Sequence, residues 1–183
     1  VYKRQLLSGS PEPANVPQAK SNAEDEKAFN RNAGRGRVDW DFLGRLRARW
    51  PHHLVVKGVL STEDARRIQQ AGADAIYVSN HGGRQLGSAP AAIEMLPLIR
   101  EAVGADYPLL FDGGIRDGES VIKALALGAD FVMLGRPFLY GIGAGGERGL
   151  AAVIDVLTNE LSVALAQLGR TDIELVDGEV LVG

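Results

Sequence analysis

His81 and Arg84 are the residues with the clearest capacity for chemistry, and they lie three positions apart in the run Ser79–Gln85. The apolar segment Ala75–Val78 directly precedes this run. An imidazole accepts a proton near neutral pH, and a guanidinium holds a carboxylate through two parallel hydrogen bonds. A proton acceptor beside a carboxylate clamp is the pair of groups that oxidation of a 2-hydroxy acid requires.

His81 also has a purely structural interpretation, because many histidines fill hydrogen-bonding roles without taking part in chemistry. The neighbouring Arg84 favours chemistry, as do the two intervening glycines, which let the backbone turn sharply and approach a ligand closely. His52 and His53 have no such neighbours. They follow Pro51 in a predicted loop, and we expect them to face solvent.

Two further motifs have the composition of a phosphate cradle. The segment Asp112–Arg116 reads Asp-Gly-Gly-Ile-Arg, and a Gly-Arg pair follows the next apolar run. Glycines expose backbone N–H groups, and arginines donate charge-assisted hydrogen bonds to phosphate oxygens. Either glycine motif alone indicates no more than a tight turn between a strand and a helix. Because an arginine accompanies each motif, we predict a phosphate site formed by Gly113, Gly114, Arg116, Gly135 and Arg136.

Lys57 stands at the end of an apolar strand and has two interpretations of equal weight. A buried ammonium is costly unless an anion or another acceptor meets it, so Lys57 could face a ligand or a carboxylate. Alternatively, its long side chain could extend to water at the rim of the sheet.

Strands and helices that alternate along the chain must position these residues. Continuous apolar, β-branched runs predict buried parallel strands over 54–59, 75–78, 109–111 and 131–134, with helices between them. A long amphipathic helix is predicted over Gly149–Leu168. A polar motif follows each strand, which places all four motifs at the carboxyl edge of one sheet, where active sites of α/β folds assemble.

Composition narrows the function classes. The chain has 183 residues, of which 45% are hydrophobic and 23% charged, and a formal net charge of −3, so we expect a soluble enzyme core without general affinity for nucleic acid. It has no cysteine, which excludes disulfides, and we predict no metal site. Residues 1–37 are rich in proline, glycine and charge and are predicted to be a loop or flexible arm. We expect a cytoplasmic location, or a peripheral one at the inner membrane surface.

Taken together, the motifs resemble those of the FMN-dependent 2-hydroxy-acid dehydrogenases and oxidases, the family of glycolate oxidase, lactate oxidase and mandelate dehydrogenase. The run Ser79–Gln85 resembles the family signature, and Lys57, Asp112–Arg116 and the Gly-Arg pair match in order and at similar spacing. The resemblance implies a TIM (β/α)8 barrel, of which residues 38–183 supply about the last four βα units. Trp50–Gly58 is most similar to the mandelate dehydrogenase branch.

The resemblance also implies an activity, the oxidation of a small (S)-2-hydroxy acid to the 2-oxo acid with FMN as cofactor. His81 would remove a proton from the substrate, and Arg84 would hold its carboxylate. Lys57 would lie near the N1 and C2 carbonyl edge of the flavin, Ser79 would bond the flavin, and Asp112 would contact the ribityl chain. The phosphate would be enclosed by Gly113, Gly114, Arg116, Gly135 and Arg136.

Because the sequence opens without Met and covers about half of such a barrel, we expect it to be part of a longer protein. The other half would carry the tyrosines that contact substrate and the carboxylate that orients His81. We therefore expect the isolated chain to be inactive and to associate through open sheet edges, and the full-length protein to be a homo-oligomer. The electron acceptor would be oxygen, a quinone or a cytochrome.

Two alternatives remain at this stage. The first is another FMN-binding or phosphate-binding barrel, of the isomerase or inosinate dehydrogenase type, which shares the Asp112–Arg116 cradle. The catalytic cysteine of the inosinate class is absent, and the run Ser79–Gln85 is not expected there. The second is a truncated half-barrel that binds phosphate groups without turnover.

Overall fold

The structure, a computed structural model, describes residues 38–181, so the predicted arm lies outside the described residues. The chain divides into two units, Val1–Phe42 and Leu43–Gly183. Of the first unit, the described part is the start of a helix, where the Asp39 carboxylate accepts a hydrogen bond of 2.7 Å from the Phe42 N–H. Asp39 thus caps this helix.

The second unit is built on one parallel sheet whose four strands lie side by side in chain order. The strands are β1 (Val55–Val59), β2 (Ala75–Val78), β3 (Leu109–Phe111) and β4 (Phe131–Val132). The helices are α1 (Trp40–Arg49), α2 (Thr62–Gln70), α3 (Ala92–Val103), α4 (Gly118–Ala126) and α5 (Arg136–Gln167), with short 3-10 turns at His81–Gly83, Ile173–Leu175 and Gly178–Val180. The predicted alternation of strands and helices is confirmed, although β4 is shorter than predicted.

Helix α5 begins earlier than predicted and is interrupted. At Gly146 the backbone has φ 57° and ψ −135°, values outside the helical region, so α5 is two helices joined at a sharp bend. The chain folds back there and brings the backbones of Gly141 and Gly149 into contact. A Cβ on Gly149 would overlap the carbonyl oxygen of Gly141. Among the described residues, only Arg136–Gln167 is long and apolar enough by composition to cross a membrane, with a mean hydropathy of 1.5 in its most apolar window. The bend prevents it from forming one straight rod.

One face of the sheet is covered by helices and forms the core. Ile76, Val78, Leu109 and Phe111 are fully buried on this face. The residues that alternate with them form a row across the opposite face, paired in register as Lys57, Tyr77, Leu110 and Phe131. Phe131 is 58% exposed, so in this unit the second face of the sheet is open.

An ion pair between an arginine and an aspartate links β1 to β2 at the amino-terminal edge of the sheet. The Arg47 guanidinium donates to Asp74 Oδ2 at 2.7 Å, and the same oxygen accepts the Leu54 N–H at 2.7 Å. These contacts hold the pKa of the Asp74 carboxyl below its usual value, first through the Leu54 hydrogen bond and then through Arg47. His53 lies 4.0 Å from Asp74 and is 95% exposed.

The same arrangement recurs between β3 and β4. Arg100 donates to Asp130 Oδ2 at 2.6 Å, and that oxygen accepts the Leu109 N–H at 2.7 Å. Arg100 also donates to the carbonyl oxygens of residues 104, 105, 107 and 128. The segments Gly-Ala-Asp at 72–74 and 128–130 are therefore equivalent, and the unit consists of two similar pairs of βα elements.

We expect Arg100→Ala to lower the free energy of unfolding by about 1–3 kcal/mol, because the carbonyl oxygens that Arg100 satisfies would be left without their donor. Urea denaturation of the chain followed by circular dichroism measures the change. The control is Arg66→Ala, which removes an exposed arginine from α2. Equal free energies of unfolding for the two variants would contradict the role of Arg100 in stabilising the contact between β3 and β4.

Candidate functional site

The polar residues that follow β2, β3 and β4 meet at the carboxyl edge of the sheet around one cavity of about 230 Å³, whereas Lys57 is the central residue of β1 and does not follow it as predicted. Seven of the ten predicted site residues line it directly. The lining residues are His81, Gly82, Arg84, Asp112, Gly113, Gly114, Ile115, Met133, Gly135, Arg136 and Leu139. Lys57 and Ser79 adjoin the cavity through hydrogen bonds, because Lys57 donates to Asp112 and to Ser79.

The part of the cavity wall formed by the turn after β3 and the start of α5 has the backbone N–H groups and the guanidinium of an anion site. Gly113 and Gly114 have φ values of 119° and 83°, a region that favours glycine, so the turn after β3 depends on these two residues. Gly135 caps α5 and Arg136 is its first residue, so backbone N–H groups and a guanidinium converge there. Arg136 reaches over the His81 turn, since its Nη2 lies 3.6 Å from the position of a Cβ on Gly82.

Arg116 is placed apart from the other predicted phosphate residues. It lines a separate depression beside α5, together with Pro137, Tyr140 and Val153. The structure therefore brings Arg136 to the anion site and leaves Arg116 on the far side of the Gly-Gly turn. Position along the chain did not distinguish these two arginines.

His81 occupies an unusual backbone conformation on the turn after β2. Its φ is 56°, which makes it the one residue other than glycine with a positive φ among the described residues. The turn is held by Ser79, a fully buried residue whose Oγ accepts the His81 N–H at 3.1 Å. The Arg84 N–H in turn donates to the His81 carbonyl oxygen at 3.3 Å, so both predicted reactive side chains are mounted on one short loop.

Gly58 provides the surface against which the His81 imidazole lies. The register of β1 and β2 shifts between Lys57 and Val59, which leaves Gly58 in a bulge with φ 95°. A Cβ at this position would come within 2.8 Å of His81 Cε1. Only glycine leaves room for the imidazole here.

Lys57 meets a carboxylate, as in the first of its two interpretations, and its side chain is 39% exposed, as in the second. Its Nζ lies 2.5 Å from Asp112 Oδ2, 3.3 Å from Ser79 Oγ and 3.3 Å from the centroid of the Tyr77 ring. Burial acts to raise the pKa of Asp112, but the hydrogen bonds from Lys57 and Tyr77 outweigh it and hold this pKa below its usual value. Asp112 is therefore a carboxylate at neutral pH.

Two buried oxygens at the site have no hydrogen-bond partner among the described residues. They are Asp112 Oδ1 and Asn80 Oδ1. A buried acceptor left without a donor costs about 1–3 kcal/mol, so such atoms usually have a partner when the protein is functional. A ligand that carries hydroxyl groups beside a phosphate would supply a donor to Asp112 and an anion to Arg136.

Sequence reasoning overlooked Tyr77, Asn80 and Gly58. Tyr77 was assigned only to a strand, although Lys57 and Tyr77 are each the third residue of their strands and pair in register. The isolated glycine inside the apolar run 54–59 was a signal for the bulge at Gly58 that the strand prediction did not use. Among the described residues no group of three or more His, Asp or Glu side chains is arranged to hold a metal ion.

Comparison with known proteins agrees with this geometry. Residues 2–182 match the family described as FMN-dependent dehydrogenase. The chain is 45% identical to an L-lactate oxidase of Alicycliphilus denitrificans over 89% of its length, and 43% identical to a pre-mycofactocin synthase of Mycolicibacterium smegmatis over 91%. A soluble mutant of the membrane-associated (S)-mandelate dehydrogenase from Pseudomonas putida superposes with a TM-score of 0.82, at 37% identity and over 97% of the chain.

The chain spans about half the length of these relatives and matches their carboxyl-terminal part. It covers 44% of the lactate oxidase, 43% of the pre-mycofactocin synthase and 52% of the mandelate dehydrogenase. The parallel sheet with its open second face is thus part of a TIM barrel, which confirms the predicted fold class. The cofactor of this group of proteins is FMN. On the match over residues 2–182, the chain belongs to the FMN-dependent dehydrogenase family.

Proposed function

We propose that this chain forms the carboxyl-terminal half of an enzyme that oxidises a small (S)-2-hydroxy acid to the 2-oxo acid. The observation that carries the proposal is the cavity wall on which His81, Arg84, Asp112 and Arg136 converge. It combines a proton acceptor, two guanidinium groups and a carboxylate at the carboxyl edge of the sheet. The names of the L-lactate oxidase and mandelate dehydrogenase relatives support this substrate class.

The residues present fit FMN. The unpartnered Asp112 Oδ1 is an acceptor for a ribityl hydroxyl, and the phosphate would be held by the Gly113-Gly114 turn, Gly135 and Arg136. Arg116, which lines the separate depression beside α5, is not part of this proposed phosphate site. Lys57 and Ser79 would hold the flavin edge above Asp112. When bound, FMN takes up the two electrons that leave the substrate.

Residues of this chain would then remove the proton from the substrate and bind its carboxylate. His81 would remove a proton from the substrate, and its left-handed backbone directs the imidazole over Gly58 at the mouth of the cavity. Arg84 would hold the carboxylate through its two-pronged guanidinium. Because both residues share one turn, the distance between base and carboxylate is fixed by the backbone from Ser79 to Arg84.

The pre-mycofactocin synthase relative favours a second candidate, in which the same residues serve a different substrate. The 2-hydroxy acid is preferred because Arg84 provides a guanidinium at the cavity beside His81. Oxygen, a quinone or a cytochrome would receive the electrons. We further propose a homo-oligomer, located in the cytoplasm or peripherally at the membrane as for the membrane-associated mandelate dehydrogenase.

The open sheet face requires a further barrel segment for a complete site. We therefore expect the chain alone to bind FMN weakly and to self-associate through its open edges. Co-expression with the amino-terminal half of the A. denitrificans L-lactate oxidase, giving what we call the complemented protein, should yield a complex that retains flavin. Size-exclusion chromatography with absorbance at the flavin band measures both. A monomeric chain that binds FMN and is reduced by a 2-hydroxy acid on its own would contradict this expectation.

Arg136→Ala should weaken FMN binding by the complemented protein by about 1.5–3 kcal/mol, the contribution of a hydrogen bond to a charged group. Flavin fluorescence titration gives the dissociation constants. Arg66→Ala is the control, since it removes the same charge from the surface of α2. A complemented wild-type protein that folds but stays colourless in excess FMN would refute the cofactor assignment.

Gly58→Ala should slow flavin reduction in the complemented protein without loss of FMN, because the new Cβ displaces His81. The reference is His81→Gln, for which we expect a loss of about 10²–10⁴-fold, typical of a general base. The control is Gly104→Ala, whose φ of 87° carries a similar backbone cost but which has open space around its Cβ position. Stopped-flow measurement of the rate of flavin reduction by lactate and by mandelate compares the three variants. The assignment of His81 fails if Gly58→Ala and His81→Gln are both reduced at the wild-type rate.

A further inference from the structure

The two oxygens of the Asp112 carboxylate have unequal surroundings. Oδ2 receives two donors, Lys57 Nζ at 2.5 Å and the Tyr77 hydroxyl at 2.9 Å. Oδ1 is buried and has no partner among the described residues. The carboxylate is thus held from one side and offers a single acceptor on the other.

Tyr77 is linked to both members of this ion pair. Its hydroxyl bonds Asp112, and its ring lies 3.3 Å below the Lys57 ammonium, within the range of a cation–π contact. The parallel register places Lys57 directly beside Tyr77, which brings the ammonium and the ring together.

The hydroxyl matters because rotation about the terminal bond of an aspartate is soft and nearly two-fold. Lys57 alone is a mobile point charge on a long stem, and it can follow either carboxylate oxygen. The Tyr77 hydroxyl is fixed to a rigid ring in the sheet. Two donors that converge on Oδ2 from different strands select one orientation of the carboxylate.

We propose that Tyr77 is a positioning residue that orients Asp112, so that Oδ1 is presented to a hydroxyl donor of the bound ligand. The identity of that ligand, the ribityl chain of FMN, rests on the proposed function, whereas the orientation itself does not. Tyr77 does not line the cavity and acts only through Asp112 and Lys57.

Tyr107 offers a matched control elsewhere in the sheet unit. Its hydroxyl is also partly buried and donates to the Ala73 carbonyl oxygen at 2.6 Å. Burial, with a smaller contribution from Asp74, raises the pKa of Tyr107 to about 12. Tyr107→Phe therefore removes a comparable hydrogen bond without contact to Asp112.

The first measurement is the titration of the Asp112 carboxyl carbon by NMR in the full chain. The Tyr77 hydrogen bond favours the charged carboxylate, so Tyr77→Phe should raise the pKa of Asp112 toward its ordinary value. Tyr107→Phe should leave it unchanged. A pKa of Asp112 that does not respond to Tyr77→Phe overturns the proposal, whatever the protein binds.

The second measurement compares FMN with riboflavin, which lacks the phosphate, on the complemented protein. Tyr77→Phe should weaken both ligands by a similar factor of about tenfold, because its effect passes through Asp112. Arg136→Ala should weaken FMN only. If the pKa of Asp112 rises but the affinity for both flavins is unchanged, the presentation of Oδ1 to the ligand is refuted. If the pKa rises and the wild-type complex binds neither flavin, the orientation by Tyr77 stands and the proposed cofactor fails.

Discussion

The ion pair between Lys57 and Asp112 is the interaction on which the site depends. It joins the middle of β1 to the residue that follows β3, across β2, and Tyr77 on β2 contacts both partners. An ammonium and a carboxylate this close to the sheet are costly to remove from water unless their remaining hydrogen-bonding groups are satisfied. Ser79 and Tyr77 satisfy part of this requirement, and Asp112 Oδ1 has no partner among the described residues. If Asp112 binds the ligand as we propose, the stability of this edge of the sheet and ligand binding depend on the same carboxylate.

The open face of the sheet follows from the same arrangement. In a closed barrel the row from Lys57 to Phe131 faces an interior filled by side chains from every strand. Here the helices cover only the other face, where Ile76, Leu109 and Phe111 are fully buried. The exposed Val55 and Phe131 at the two edge strands show where further strands of a barrel would pack. The loops after β2, β3 and β4 line the cavity, so the groups of the proposed anion site come from this chain, which spans about half of its relatives.

The sequence predicted the strands well because their apolar runs are short, β-branched and bounded by glycine or polar residues. β2 and β3 have the predicted limits, and the motifs after them meet as expected. Prediction was weaker where tertiary packing determines the limits of a helix or the position of a side chain. The first part of α5 was not predicted, because its glycines have low helix propensity and only the contact of Gly141 with Gly149 explains them. Arg116 and Arg136 look equivalent in sequence, yet the direction of the chain after the Gly-Gly turn separates them.

The backbone at His81 shows why the site could not be built from spacing alone. A residue other than glycine in the left-handed region costs about 1–3 kcal/mol and persists only where its surroundings hold it. Ser79 Oγ accepts the His81 N–H, and the 3-10 turn that follows is closed by the bond from Arg84 to the His81 carbonyl. The bulge at Gly58 on the neighbouring strand then provides the space that this conformation needs for the imidazole. The Ser79 hydrogen bond, the 3-10 turn and the bulge at Gly58 therefore act together to fix the position of the His81 side chain. None of the three can be interpreted from the sequence until the position of His81 in the structure is known.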